Sequence, residues 1–329
     1  MYDLQLNEVD RRILSWLEKF LPDRIFDAHA HLYRLEQMAH LNPLCKAYGP
    51  ADAAAFLADQ VPVYGSRRVQ ALFLPTPATF LHQQRSARDA YNTWLVSQLQ
   101  TAPDCVCAPY VIPGDTAKDI EAMLTHPNVK ALACSHVTAP EGDQATPEAY
   151  LPESAWQVAD AHGLAIAIHL VRDKALADPE NLSYIQTMAA KYPNAKAILL
   201  HGARGFASWT VMESVRELKE LPNIYYDIAA ICDPATMFEL VRQAGADHVM
   251  WGSDYVVDRI KGRPINCGTG FTWVYRHTLP ESVSLPVGSL CCESLLAFYQ
   301  ACLMLDADKQ TVSDIFRGNA CRLFGLEKA

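Results

Sequence analysis

Two histidines one residue apart close an apolar run, Ile25-Phe26-Asp27-Ala28-His29-Ala30-His31. In a strand the side chains repeat every second residue, so His29 and His31 face one side and can share a cation. Three more apolar runs end in side chains of related chemistry. Ala165-Ile166-Ala167-Ile168 leads to His169, Ala197-Ile198-Leu199-Leu200 to His201, and Val249-Met250-Trp251-Gly252-Ser253 to Asp254. Imidazole nitrogen and carboxylate oxygen suit a divalent ion, Zn²⁺ first, with Mn, Co or Fe as alternatives. A lone His-x-His is often structural, a strand-end histidine often a core residue, and Gly-Ser-Asp often a turn. Their conjunction carries the weight, because every one of these polar groups falls at the end of its run and none at the start.

The elements that must position them are legible in the same way. Residues 24–28, 69–74, 106–111, 129–134, 164–169, 195–201, 224–228 and 248–252 are nearly continuous apolar runs, as parallel strands buried on both faces would be. Helical patterns fall between several of them, at 87–100, 152–161, 183–191, 210–218 and 234–243. His162-Gly163 and Ala244-Gly245 supply stop signals just before the next strand. Strands alternating with helices predict an α/β chain folded as a single (β/α)₈ TIM barrel over residues 1–329. Catalytic groups of such a barrel sit at the C-terminal ends of its strands, where the histidines and Asp254 fall. A doubly wound sheet would want a Gly-rich turn after the first strand, and Asp27-Ala28-His29 is not one. Residues 1–22 read as an N-terminal amphipathic helix, 255–290 as a long loop after strand eight that overhangs the active face, and 293–326 as closing helices.

Composition narrows the partners. Lys plus Arg number 28 against 37 Asp plus Glu, a net charge of −9 with no basic run, which disfavours nucleic acid. The longest apolar stretch, 295–305, falls short of the ~20 residues of a membrane span. The first residues are acidic and polar, unlike a secretory signal. Ten cysteines lie scattered without a CxxC pair, as expected of a reduced cytoplasmic protein. A small molecule is the expected substrate.

Several segments resemble the amidohydrolase superfamily, in particular the branch that includes aminocarboxymuconate-semialdehyde decarboxylase. They are Phe26-Asp27-Ala28-His29-Ala30-His31-Leu32, Ala167-Ile168-His169, Leu200-His201-Gly202, the stretch from Ala246 to Tyr255 that contains Trp251-Gly252-Ser253-Asp254, and the tail from Phe316 to Phe324. The resemblance implies metal ligands at His29, His31, His169 and Asp254, with His201 as a catalytic acid/base. Many members also end strand four with a carboxylated lysine that bridges two metals. Here that strand reads Lys130-Ala131-Leu132-Ala133-Cys134-Ser135-His136, with its lysine at the wrong end, so one metal ion is expected. Val256 stands where the branch often has proline. The family often assembles as dimers, and nothing in the residues sets the oligomeric state.

The leading expectation is a mononuclear metal-dependent hydrolase that activates water toward an amide or lactone carbonyl. Asp254 would take the water proton, and His201 would polarise the carbonyl or serve the leaving group. The alternative is a metal-dependent, non-oxidative decarboxylase of an unsaturated or aromatic acid. Arg204 could hold a substrate carboxylate. Tyr255, beside Asp254, and His136, after strand four, are further candidates for contact with substrate.

Overall fold

The computed structural model describes residues 3–37, 43–77, 84–283 and 285–326. Met1 and Tyr2 of the expected N-terminal helix and Ser284 of the expected loop lie outside the described residues. Within the expected 1–22 segment the helix runs from Glu8 to Leu17, because Asn7 caps it and exchanges reciprocal hydrogen bonds with Asp10.

Parallel strands form two sheets. In the first, β1 (Arg24–Leu32), β2 (Arg68–Pro75) and β3 (Val106–Cys107) pair in order. In the second, β4 (Ala131–Ser135), β5 (Ala165–His169), β6 (Lys196–Leu199), β7 (Ile224–Asp227) and β8 (Val249–Met250) pair in order. Backbone hydrogen bonds cross the gap from β3 to β4, with Cys107 N donating to Asn128 O (3.0 Å) and Ala133 N to Pro109 O (2.9 Å). They also cross from the segment after β8 to β1, with Ala28 N donating to Trp251 O and His31 N to Tyr255 O, both at 2.8 Å.

The strands differ from the sequence expectation where local chemistry intervenes. The run at 106–111 is strand only at Val106–Cys107, since Pro109 has no N–H for a regular ladder. The run at 195–201 ends at Leu199, which leaves His201 on the turn that follows. Along β5, Ala165 and Ala167 lie in one apolar cluster while Ile166 and Ile168 lie in the other, against Trp156 and Ile185. His169 continues the alanine side, as the strand period requires. Helices between strands end where glycine permits it: Gly163 caps Glu153–His162 at φ 64°, in the left-handed region.

The segment after β8 is more ordered than a loop. Strands β9 (Gly262–Cys267) and β10 (Gly270–Tyr275) form an antiparallel hairpin. The closing helices begin at Leu290, with Leu290–Met304 the longest of them. Buried Asp10 ties these parts together, accepting from Lys261 Nζ (2.5 Å) at the base of the hairpin and from Ser289 N (2.6 Å) ahead of the closing helix. No helix among the described residues is long and apolar enough to cross a membrane.

Candidate metal centre

His29 and His31 leave β1 on one side, with ring centroids 4.8 Å apart. Each ring has one nitrogen engaged. His29 Nδ1 lies 3.0 Å from Asp227 Oδ2, and His31 Nδ1 lies 3.0 Å from the carbonyl of Pro75 at the end of β2. Both partners are acceptors, so each Nδ1 carries the proton and each Nε2 a lone pair. The two Nε2 atoms face one another at 3.0 Å, and Asp254 Oδ1 lies 3.6 Å from both. Lone pairs and a carboxylate converging inside a protein lack a positive partner, and a divalent cation fits that donor set. Burial pushes both imidazoles down to about 3, so they stay neutral and available as ligands. Burial, reinforced by Asp227, Asp258 and Asp27, pushes the Asp254 carboxyl well above the usual range. A cation at the focus would act in the opposite direction.

His201 stands on an unusual piece of backbone. Residues His201, Gly202, Ala203 and Arg204 have φ of 55°, 58°, 61° and 61°, a single left-handed turn. Such a turn costs roughly 1–2 kcal/mol for each non-glycine residue, and strain of this kind gathers at functional sites. Buried hydrogen bonds hold it. His201 N donates to Asp227 Oδ1 (2.9 Å), and the ring Nδ1 lies 2.9 Å from Ala229 O. Its Nε2 is therefore the nitrogen left for chemistry, and its ring lies 4.7 Å from that of His29. Burial pushes His201 down to about 3 as well, with His29 adding to the effect.

The expected ligands do not all meet equally closely. His29, His31 and Asp254 form one set with ligand atoms within 4.8 Å of each other, and His29, His201 and Asp227 form a second. His169, the last residue of β5, stands one ring further along, 5.2 Å from His201 and 5.1 Å from His136. Its Nδ1 is buried without a hydrogen-bond partner among the described residues. His136 turns toward the same mouth after β4, with Nε2 3.1 Å from Asp143 and Nδ1 without a hydrogen-bond partner among the described residues. Arg204 lies over Phe271 at 5.7 Å and forms no ion pair among the described residues. Tyr255 is not brought to the mouth. Its hydroxyl meets Tyr48 Oη (2.5 Å) and Asp59 Oδ2 (3.1 Å), and its ring packs on Phe56.

Sequence reasoning passed over two buried carboxylates. Asp27, inside β1, accepts from His29 N and from both the amide and the hydroxyl of Ser253. Asp227, which ends β7, accepts from His29, His201 and Ala229. A signal was present, since an aspartate inside an otherwise apolar strand must find donors. Asp254 differs from both, its carboxylate accepting no hydrogen bond from protein among the described residues.

The hairpin overhangs this end of the strands. Phe271 and Trp273 of β10 pack on Phe206 with centroids 4.9 and 5.2 Å away, and Phe206 lies 5.2 Å from the ring of His201.

Solved structures share this shape at low identity. A 5-carboxyvanillate decarboxylase from Sphingomonas paucimobilis superposes with TM-score 0.61 at 13% identity, covering 93% of this chain and 100% of that one. A probable 2-pyrone-4,6-dicarboxylic acid hydrolase from Acinetobacter baumannii, with citric acid bound, gives 0.56 at 13% identity, covering 92% and 99%. An amidohydrolase from Burkholderia multivorans with bound zinc gives 0.61 at 12% identity, covering 92% and 99%. No curated protein matches the chain. The family model for amidohydrolases, however, matches residues 26–326, from the strand bearing the paired histidines to the last closing helix, and the chain belongs to that family.

Proposed function

We propose that the protein is a metal-dependent hydrolase of a small, carboxylate-bearing molecule with an amide or lactone carbonyl. One observation carries the choice. Asp27 and Asp227 are saturated by donors, whereas Asp254 keeps its carboxylate free of hydrogen bonds from the described residues beside His29 and His31. A buried carboxylate left free in this way can accept a proton from water. The two sheets and the hydrogen bonds between them support one closed eight-stranded barrel, a single domain with this centre at its C-terminal mouth. His29, His31 and Asp254 would hold one divalent ion, zinc first, with His169 approaching from the next strands. When bound, that ion supplies Lewis acidity and lowers the pKa of water to about 7.

The remaining work falls to the chain's own groups. Asp254 takes the proton of the attacking water, and His201 Nε2 serves the carbonyl oxygen or the leaving group. Arg204 and His136 receive a substrate carboxylate, and Phe206, Phe271 and Trp273 cover a flat substrate and exclude solvent. Ten cysteines, none of them in a disulfide, suit a reducing cytoplasm.

That same aromatic cover, with a guanidinium that has no ion pair among the described residues, favours a second reading, non-oxidative decarboxylation of an unsaturated or aromatic acid. One of the structural neighbours is a 5-carboxyvanillate decarboxylase and another a probable pyrone dicarboxylic acid hydrolase. A panel of lactones, amides and aromatic acids, assayed in isotopically labelled water, separates the two. Hydrolysis places solvent oxygen in the product. Release of CO₂ with solvent hydrogen on carbon, and no turnover of lactone or amide, would overturn the hydrolase assignment.

A further inference from the structure

We infer that Asp227 is the positioning residue that sets the tautomer of His29, and through it the affinity of the centre for metal. The inference rests on the reading of His29 as a ligand, and it concerns a residue outside the set His29, His31 and Asp254. Asp227 ends β7 with its side chain wholly buried, and its two oxygens do different work. Oδ1 accepts two backbone N–H groups, from His201 (2.9 Å) and Ala229 (3.0 Å). Those bonds orient the carboxylate and leave Oδ2 for His29 Nδ1 at 3.0 Å. An acceptor at that position holds the ring proton on Nδ1 and keeps the Nε2 lone pair turned toward His31.

The geometry also shows what would follow without that acceptor. His29 Nε2 and His31 Nε2 are already at hydrogen-bond distance, 3.0 Å. If the His29 proton moved to Nε2, it would be donated to His31 Nε2. The pair would then close on itself and both lone pairs would be lost to a cation. His31 cannot make the complementary move without losing its bond to Pro75 O. The carboxylate of Asp227 therefore holds the histidine pair open. One side chain also links the histidine pair to the left-handed turn that carries His201 and Arg204.

Asp227→Asn tests this with little change of shape. The amide oxygen can still accept from His201 N and Ala229 N, while the amide nitrogen now faces His29 Nδ1 and asks it to become an acceptor. In metal-free protein, nitrogen NMR of the imidazoles should find His29 protonated on Nδ1 in wild type and on Nε2 in the variant. His31 should stay protonated on Nδ1 in both and serves as the internal reference. In chelator competition, zinc affinity should fall by roughly 10–100-fold, the usual effect of losing a group that orients a ligand. Asp227→Glu, which keeps an acceptor, should restore the wild-type tautomer and part of the affinity. His29 protonated on Nε2 in wild type, or an unchanged tautomer and zinc affinity in Asp227→Asn, would overturn the inference. Failure of wild type to bind zinc at all would instead overturn the metal centre, and the tautomer measurement would still decide the role of Asp227.

Discussion

The Nε2 atoms of His29 and His31 face each other across 3.0 Å while each ring's Nδ1 is engaged elsewhere, on Asp227 and on the carbonyl of Pro75. Nothing among the described residues resolves two lone pairs pointed together in a buried place, and Asp254 adds a carboxylate to the same focus. The arrangement is a candidate ligand set oriented by hydrogen bonds from behind.

Metal content follows directly. Elemental analysis of protein purified without chelator should find about one Zn, Mn or similar ion per chain, because strand four ends in Ser135 and offers no bridging lysine. His29→Ala/His31→Ala should bring that content to background with the fold retained by circular dichroism. Two ions per chain would mean that another bridging group exists.

His201→Asn should separate binding from turnover. The ring lies beside the ligands, with Nδ1 taken up by Ala229 O, so its loss should leave most bound metal in place. The rate should drop by roughly 10²–10⁴-fold, the usual contribution of a general acid or base. Loss of metal in proportion to rate would make His201 a ligand instead.

Arg204→Met should raise KM for a carboxylate-bearing substrate with a smaller effect on kcat, because the guanidinium stands over Phe271 without an ion-pair partner among the described residues. A matched substrate lacking that carboxylate should show little change. Steady-state kinetics on the two substrates decide it, and equal losses on both would remove the anion-binding role.

The metal-free protein should weaken in acid for a definable reason. His201 is held down to about 3 in the fold against 6.5 for the free side chain. As pH falls below about 6.5 the unfolded chain takes up a proton that the folded chain refuses, so folded stability drops by at most about 1.4 kcal/mol per pH unit. Asp27, raised to about 7 by burial, works in the opposite sense, since it favours the fold at low pH and loses that contribution as pH rises toward 7. The clean comparison is chelated wild type against chelated His201→Asn, where the Asp27 contribution is common to both. Unfolding free energies from urea titration should shift in the variant's favour as pH drops from about 6.5 to 4.5, by up to about 2 kcal/mol, and differ by a constant amount above pH 7. Parallel curves throughout would show that His201 protonates freely in the fold.

Much of this was written in the chain. Apolar runs long enough for buried strands set the strand order, and the four that end in His or Asp placed His29, His31, His169, His201 and Asp254 toward one end, because strand period and chain direction are local properties. The lysine at the start of strand four, away from the mouth, was equally readable. Tertiary structure alone decided the rest. Asp227 looked like one polar residue in Ile224-Tyr225-Tyr226-Asp227, and only packing of β7 against β1 and the turn after β6 gives its oxygens His29 and His201 as partners. Tyr255 follows Asp254 in sequence, yet its side chain goes to Tyr48 and Asp59. The expected loop proved to be a hairpin whose aromatic face rests on Phe206, a contact between residues 206 and 271 that no local pattern encodes. Spacing along a chain fixes which face a side chain leaves from, whereas its partner depends on which distant element is packed there.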